Sequence, residues 1–236
     1  GVTFASQEVS QVVNDTATTV DVQTDPAATP IAIDVDYDDE DLEPASGSAT
    51  TAAIRLDGDV ITVEGSGAAV SGSVVTITDA GVYSLSGTLR DGQIIVEASN
   101  EDEVVLLLNG VNVTSSTSAP IYVSAAEKVI LTLAEGTENV VTDGDAYVFP
   151  DAETDEPDAA IFSKDDLTIN GSGSLTVNAN YNNGIACKDD LKITGGILTV
   201  NAINDGIKGR DSLAVLDGTI TVNAGGDGLQ AEPSVD

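Results

Sequence analysis

Residues 183–202 read NGIACKDDLKITGGILTVNA, and residues 205–224 read DGIKGRDSLAVLDGTITVNA. The two segments align without a gap at a period of 22 residues, and Asp227-Gly228-Leu229 begins a third copy. A further copy lies upstream, where the KDDL of residues 164–167 matches the KDDL of residues 188–191. A repeat of this length with two or three short strands is typical of one coil of a parallel β-helix. The sequence therefore predicts an all-β solenoid, since the spacing of leucine-rich repeats is absent.

Equivalent positions of successive coils should stack about 4.8 Å apart, so the repeat becomes a set of ladders along the axis. Apolar residues form inward ladders at positions 185/207/229, 191/213 and 177/200/222. The repeated triplet Val-Asn-Ala adds an Asn ladder, formed by Asn178, Asn201 and Asn223. Stacked amides can hydrogen-bond to one another. We therefore expect this ladder to be structural and to satisfy buried polar groups at a turn.

The chain divides into an acidic extension, residues 1–52, and the solenoid, residues 53–236. Residues 31–37 of the extension alternate in polarity, which predicts an extra strand for assembly. Its apolar face holds Ile31, Ile33, Val35 and Tyr37, and its acidic face holds Asp34 and Asp36. An insertion at residues 143–158 interrupts the solenoid with seven acids. Their mutual repulsion favours a solvated, disordered loop unless a cation bridges them.

Composition excludes several classes of function. The net charge is −32, which argues against nucleic acid as a partner because binding a polyanion needs Lys and Arg. The chain has no His, which argues against zinc hydrolases and Ser-His-Asp catalysis. We expect the single cysteine, Cys187, to be a small core residue. No apolar run reaches the length of a membrane span, and the composition fits a secreted or cell-surface protein.

The repeat also stacks acidic residues, which predicts calcium binding. Carboxylates about 5 Å apart repel each other unless a cation lies between them, and calcium takes six to eight oxygen ligands. The first column is Asn183, Asp205 and Asp227, and the second is Asp165, Asp189 and Asp211. Asp143 and Asp145 in the insertion are further candidate ligands. The alternative is that each Asp only caps its own turn.

Basic residues stack beside the acids. Lys164, Lys188 and Arg210 fall in one column, and Lys208 lies close to it in the sequence. Such a column beside calcium-binding acids predicts a site for acidic polysaccharide, whose carboxylates would meet Lys, Arg and calcium. The alternative is ion pairing with neighbouring Asp residues inside the chain. A lyase with Lys208 or Arg210 as its base is a weaker interpretation, and we expect no enzyme activity.

Several motifs resemble a known family: GVYSLSGTL at 81–89, the segment 104–110, APIYV at 119–123, LTLAEGTEN at 131–139 and DGIKGRD at 205–211. They resemble the bacterial carbohydrate-binding β-helix family first described in cellulolytic clostridia. This resemblance covers about residues 54–232. It implies a right-handed parallel β-helix similar to pectate lyases, bound calcium, a surface location and binding of acidic polysaccharides such as polygalacturonate. It does not imply lyase activity.

Two functions therefore stay open from the sequence. The first is calcium-dependent binding of acidic polysaccharide at the cell surface. The second is self-assembly into an extracellular filament or other homo-oligomer, with the strand at 31–37 adding to a neighbouring subunit. The repeat that begins at Asp227 is unfinished at Asp236. We expect either that a second chain covers this end or that the chain is truncated.

Overall fold

The structure is a computed structural model that describes residues 35–45, 49–149, 151 and 153–232. Within these residues it contains one short helix, α1 (Asp39–Leu42), and twenty strands. The strands are β1 (Ala52–Gly58), β2 (Val60–Gly65), β3 (Ala68–Ser71), β4 (Val74–Ile77), β5 (Gly81–Leu89), β6 (Gln93–Glu97), β7 (Glu103–Ser115), β8 (Ile121–Ala125), β9 (Lys128–Leu133), β10 (Glu138–Asp143), β11 (Ala159–Ser163), β12 (Asp166–Gly171), β13 (Ser174–Ala179), β14 (Asn183–Cys187), β15 (Asp190–Ile193), β16 (Ile197–Ala202), β17 (Ile207–Gly209), β18 (Ser212–Val215), β19 (Thr219–Ala224) and β20 (Leu229–Ala231).

The strands form the mostly parallel, all-β arrangement of a solenoid with three faces. Face A comprises β9, β12, β15, β18 and the first halves of β5 and β7. Face B comprises β10, β13, β16, β19 and the second halves of β5 and β7. Face C comprises β4, β6, β8, β11, β14, β17 and β20. Each full coil contributes one strand, or half a strand, to every face.

Identical side-chain types stack in the core because successive coils pair in register. Val177, Val200 and Val222 are partners across face B, and Ile185, Ile207 and Leu229 are partners across face C. The predicted apolar ladders are therefore present. They are buried in the inner coils, whereas Leu229 in β20 is 51% exposed. Each buried aliphatic side chain contributes about 2 kcal/mol relative to an exposed one.

The first coils depart from the regular pattern. β2 folds back antiparallel on β1, and β3 folds back antiparallel on β4, so hairpins lie at this end of the solenoid. β5 turns the corner from face A to face B at Gly87, where the register shifts. Gly87 has φ of +97°, and a Cβ there would lie 2.1 Å from the Leu56 carbonyl oxygen. Only glycine fits this corner.

The extension does not form the predicted strand in its described part. Ile31, Ile33 and Asp34 lie outside the described residues, and residues 35–38 form no strand. Residues 35–45, which we call the strap, instead lie against the outer surface of face A. The strap contains α1 and is held mainly by polar groups on β9, β12 and β15. The acidic side chains of the strap bind these polar groups, so this part of the chain lies on face A and does not form the predicted strand.

Asp41 is the anchor of the strap. Its side chain is fully buried and accepts hydrogen bonds from Thr168 Oγ1 at 2.7 Å and Lys192 Nζ at 2.8 Å. Lys128 Nζ lies 3.3 Å from the same carboxylate and 2.7 Å from Asp38. Burial raises the pKa of Asp41, but the bonds from Lys192, Thr168 and the Asp38 N–H, together with the charge of Lys128, outweigh it and leave that pKa below its usual value. The carboxylate is therefore ionised at neutral pH.

No helix among the described residues is long and apolar enough to cross a membrane.

We predict that Asp41→Ala lowers the free energy of unfolding by about 3 kcal/mol at neutral pH, because it leaves Lys192 partly buried without its anion and leaves Lys128 paired with Asp38 alone. Asp39→Ala is the control, since Asp39 lies on the same helix, is exposed and carries the same charge. Urea unfolding measures both variants. A group with a lowered folded pKa stabilises above its unfolded pKa, so the Asp41 contribution should disappear as pH falls through the folded pKa. Equal effects of the two variants would contradict the prediction.

Candidate functional site

The acidic insertion folds over the outer surface of face C. Tyr122, Phe162, Ala186 and Lys208 are register partners on β8, β11, β14 and β17, and they point outward in one row. Phe162 is nevertheless only 1% exposed, because it packs in an apolar cluster with Ala159, Ala186 and the partly buried Tyr122 and Tyr147. The insertion thus packs on the solenoid through Tyr147.

Aromatic residues hold the insertion in place. The rings of Tyr147 and Tyr181 stack with centroids 4.1 Å apart and an interplanar angle of 14°. Phe149 lies 6.2 Å from the Tyr147 ring. The Tyr147 hydroxyl donates to Asp143 Oδ2 at 2.8 Å. Burial, followed by the charge of Asp143, raises the pKa of Tyr147, and burial also raises the pKa of Asp143. These two groups have a structural role.

The first of two grooves beside the insertion, the aromatic groove, has a volume of about 390 Å³. Its walls combine apolar, amide and charged groups: Gln93, Ile95, Ser118, Tyr122, Val148, Phe149, Thr154, Asp155, Glu156, Pro157 and Lys164. Lys164 Nζ lies 6.0 Å from the centroid of the Tyr122 ring, on which it forms a cation–π contact. The groove therefore offers one cation beside exposed parts of aromatic rings.

The second groove, the basic groove, begins on the other side of Glu156. Its lining includes Lys188, Lys208 and Arg210 together with Glu156, Asp158 and Glu232. Lys188 pairs with Glu156, and Lys208 Nζ lies 3.1 Å from Glu232 Oε2. Burial and the charge of Glu156 raise the pKa of Asp158, while Lys208 and Lys188 lower it, with a net rise.

The four predicted basic residues therefore lie in two adjacent grooves. Lys164 lies in the aromatic groove, and Lys188, Lys208 and Arg210 lie in the basic groove. Lys188 and Lys208 are ion-paired within the chain, but with Glu156 and Glu232 instead of the neighbouring Asp residues. Within the described part of the chain, neither Lys164 nor Arg210 makes a salt bridge. These two cations are open to a ligand.

The first acidic column has hydrogen-bonding roles of its own. Asn183 Oδ1 accepts the backbone N–H of Asp205 at 3.1 Å, and Asp205 Oδ1 accepts that of Asp227 at 2.9 Å. The following glycine is needed for close packing, since a Cβ on Gly206 would lie 2.2 Å from Val222 Cγ1. Asn183 and Asp205 thus each cap the next coil, which is close to the alternative of turn capping and engages one oxygen of each side chain.

The second acidic column shows charge crowding. Burial and the charges of Asp166, Asp211, Asp165 and Asp190 all raise the pKa of Asp189. Asp165 Oδ2 accepts the Ala126 N–H at 3.0 Å, so it is partly engaged. Among the described residues, no three acidic or Cys side chains are arranged to hold a cation. Of the two further candidates, Asp143 is buried and hydrogen-bonded, and Asp145 is exposed.

The Asn ladder lies on the outer surface of face B. Asn201 Nδ2 donates to Asn178 Oδ1 at 2.9 Å, and Asn223 Nδ2 donates to Asn201 Oδ1 at 3.0 Å. The amide-to-amide bonding follows the predicted pattern, but the expected burial is wrong. Val177 and Ala179 take the inward positions on either side of Asn178, so the amide points out and is partly exposed.

The repeat in the sequence predicts the cations of the site but not the residues that form its other walls. Tyr122, Phe149 and Gln93 were not selected, because none of them belongs to the repeat. A signal was present: the chain has only five Tyr and three Phe. Five of these eight residues fall between positions 122 and 181, around the insertion: Tyr122, Tyr147, Phe149, Phe162 and Tyr181.

Residues 71–236 match a family described as carbohydrate-binding domain-containing protein. A protein of this description from Acetivibrio thermocellus is 51% identical over 152 residues, which are 64% of this chain and 53% of the relative. The chain thus spans about half the length of that relative. The structure titled "Structure of the polysaccharide lyase-like protein from C. thermocellum, Gadolinium derivative" is similar, with a TM-score of 0.77 and 48% identity over 79% of this chain and 75% of that one.

We predict that Asp189→Asn stabilises the protein at neutral pH in the presence of a chelator. Because the folded pKa of Asp189 is raised, its ionisation costs more in the folded state than in the unfolded state. The advantage of the variant should be absent at pH well below the usual Asp pKa and grow as pH rises through the raised folded value. Thermal unfolding across pH measures this, and a variant less stable than wild type at neutral pH would contradict it.

Proposed function

We propose that this chain, which belongs to the family of carbohydrate-binding domain-containing proteins, binds acidic polysaccharide along the aromatic and basic grooves of face C. The family match confirms the carbohydrate-binding family expected from the motifs. One observation carries the proposal further. On a chain of net charge −32, four of the eight cations line these two adjacent grooves.

The grooves suit a chain of uronic acid residues. Arg210 and Lys164 would bind carboxylates, since charge-assisted bonds of this kind are the strong ones. Tyr122 and Phe149 would pack on the apolar faces of sugar rings, and Gln93 would bond to hydroxyls. Lys188 and Lys208 would exchange their internal carboxylates for those of the ligand, which conserves the number of ion pairs.

Calcium is a further part of the proposal. The second acidic column is the better candidate, because the charges of four other carboxylates raise the pKa of Asp189 and a cation would relieve that repulsion. Binding would have to draw these side chains together, since no three of them, all of which the structure describes, are arranged to hold a cation. The similar lyase-like structure is titled a gadolinium derivative, and gadolinium, like calcium, is a hard cation that takes oxygen ligands. Calcium there would also offset the negative charge that repels a polyanion.

We place the protein outside the cell, at its surface, because it combines strong acidity with a single cysteine and a polymer ligand. We assign it a binding role without catalysis. The right-handed sense of the solenoid is expected from the family resemblance and from the usual hand of parallel crossovers. Self-assembly into filaments stays a prediction. The described part of the proposed assembly strand lies on its own chain, where Lys192 Nζ is 5.6 Å from the Tyr37 ring centroid.

We predict that polygalacturonate binds to the wild type and that Arg210→Ala and Lys164→Ala each weaken binding about tenfold, the loss of one charge-assisted contact. Arg55→Ala is the matched control for Arg210→Ala, because Arg55 is an exposed arginine on β1. Isothermal titration calorimetry measures the affinities. Neutral galactan should bind much less. Equal weakening by Arg55→Ala, or no binding by the wild type, would overturn the site.

We predict that calcium raises the midpoint of thermal unfolding relative to a chelator, since a ligand that binds only the folded state stabilises it. Asp189→Asn should reduce the calcium-dependent rise. Asp57→Asn, which changes an exposed acid on β1, should leave the rise unchanged. Differential scanning calorimetry with calcium, with magnesium and with chelator separates a specific site from general screening. A rise that the two variants share would count against the second column.

A further inference from the structure

The outer surface of face A holds a carboxylate-binding site that the chain itself fills. We infer that the strap acts as an internal ligand there and competes with the carboxylate of an acidic sugar. This inference rests on the proposed function for the class of ligand, but it concerns different residues on a different face. The strap would then be an autoinhibitory segment whose release opens a second site.

The site is built from hydrogen-bond donors on three successive strands. Lys128 on β9, Thr168 on β12 and Lys192 on β15 surround the Asp41 carboxylate. Beside them, Asn170 Nδ2 donates to the Glu40 carbonyl at 3.1 Å, and the Thr194 hydroxyl donates to the Asp41 carbonyl. The arrangement thus presents two cations and three neutral donors to one carboxylate and two adjacent acceptors. A uronic acid offers the same set, a carboxylate with ring and hydroxyl oxygens next to it.

Apolar packing contributes little to the attachment of the strap to face A. Leu42, the one large aliphatic residue of α1, is 47% exposed. Val35 and Tyr37 are only partly buried, and the Tyr37 ring lies beside Lys192 of the site itself. A cavity of about 280 Å³ lies between the strap and the sheet, and its floor consists of Val82, Val105, Ile130 and Thr132. The strap is therefore retained mainly by polar contacts. A ligand that reproduces those contacts can replace it without the loss of a packed core.

Charge also favours an acidic ligand. The strap carries six acids within eleven residues, yet it is held at the two lysines of this surface. It is a short polyanion, as a polygalacturonate segment is. Lys128 is 8% exposed and Asp41 is fully buried, so the pair lies away from solvent, where charge-assisted bonds are strongest.

The test uses the full chain carrying Lys164→Ala and Arg210→Ala, so that the grooves of face C are weakened in every sample. In this background we expect Asp41→Ala to bind trigalacturonate about tenfold more tightly or better, because an occluded site loses apparent affinity in proportion to its closed fraction. Adding Lys192→Met should abolish the gain. Asp39→Ala, with the same change in charge, should give none. Isothermal titration calorimetry measures all four proteins against trigalacturonate and its neutral methyl ester.

Absence of a gain in Asp41→Ala, an equal gain in Asp39→Ala, or an equal gain for the methyl ester would overturn the inference. So would dimers of Asp41→Ala with wild type in sedimentation velocity, because the site would then accept the strap of a second copy. Asp41→Asn, which keeps the shape of the side chain, replaces Asp41→Ala if the latter does not fold. If this inference fails, wild type should still bind polygalacturonate and Arg210→Ala should still weaken that binding. The two proposals are therefore tested separately.

Discussion

Parallel pairing in register between successive coils is the constraint on which the molecule depends. The backbone hydrogen bonds of each strand fix the neighbour one coil away, so a side chain at one position must fit its own kind above and below. Val177, Val200 and Val222 satisfy this inside, and Asn178, Asn201 and Asn223 satisfy it outside. Stacked acidic residues fit this constraint least well because their charges repel one another. Asp205 instead caps the next coil, and the pKa of Asp189 is raised.

Register explains which parts of the fold could be predicted from the sequence. In the region of the 22-residue repeat, the apolar ladders and their inward direction follow directly from the aligned sequences. The corner at Gly87 and the antiparallel hairpins of the first coils depend on local turn geometry that has no repeat to reveal it. Alternating polarity predicts a strand at residues 31–37, which overlap the start of the strap. Lys128 and Lys192, which bind the strap instead, lie about 90 and 150 residues further along the chain.

The candidate site likewise has a part that the sequence predicts and a part that it does not. Its cations occupy repeat positions and were selected from the sequence, whereas its aromatic walls come from the insertion and from single positions in the upstream coils. The first acidic column illustrates a limit of stacking arguments. Stacking brings side-chain oxygens close to one another, but it also brings them close to backbone N–H groups. In this column Asn183 and Asp205 accept hydrogen bonds from those N–H groups. Proximity of acids is therefore evidence for calcium only where the backbone leaves the oxygens unused.

The insertion leaves the solenoid between β10 and β11 and returns to the same coil. Those of its residues that the structure describes contact the outside of face C and add nothing to the apolar ladders within. The loop that forms one wall of the ligand grooves is thus separate from the apolar ladders that determine folding. Related chains could lengthen, shorten or replace this single loop and acquire a new glycan preference while keeping an unchanged scaffold, much as antibodies vary their loops on a constant framework.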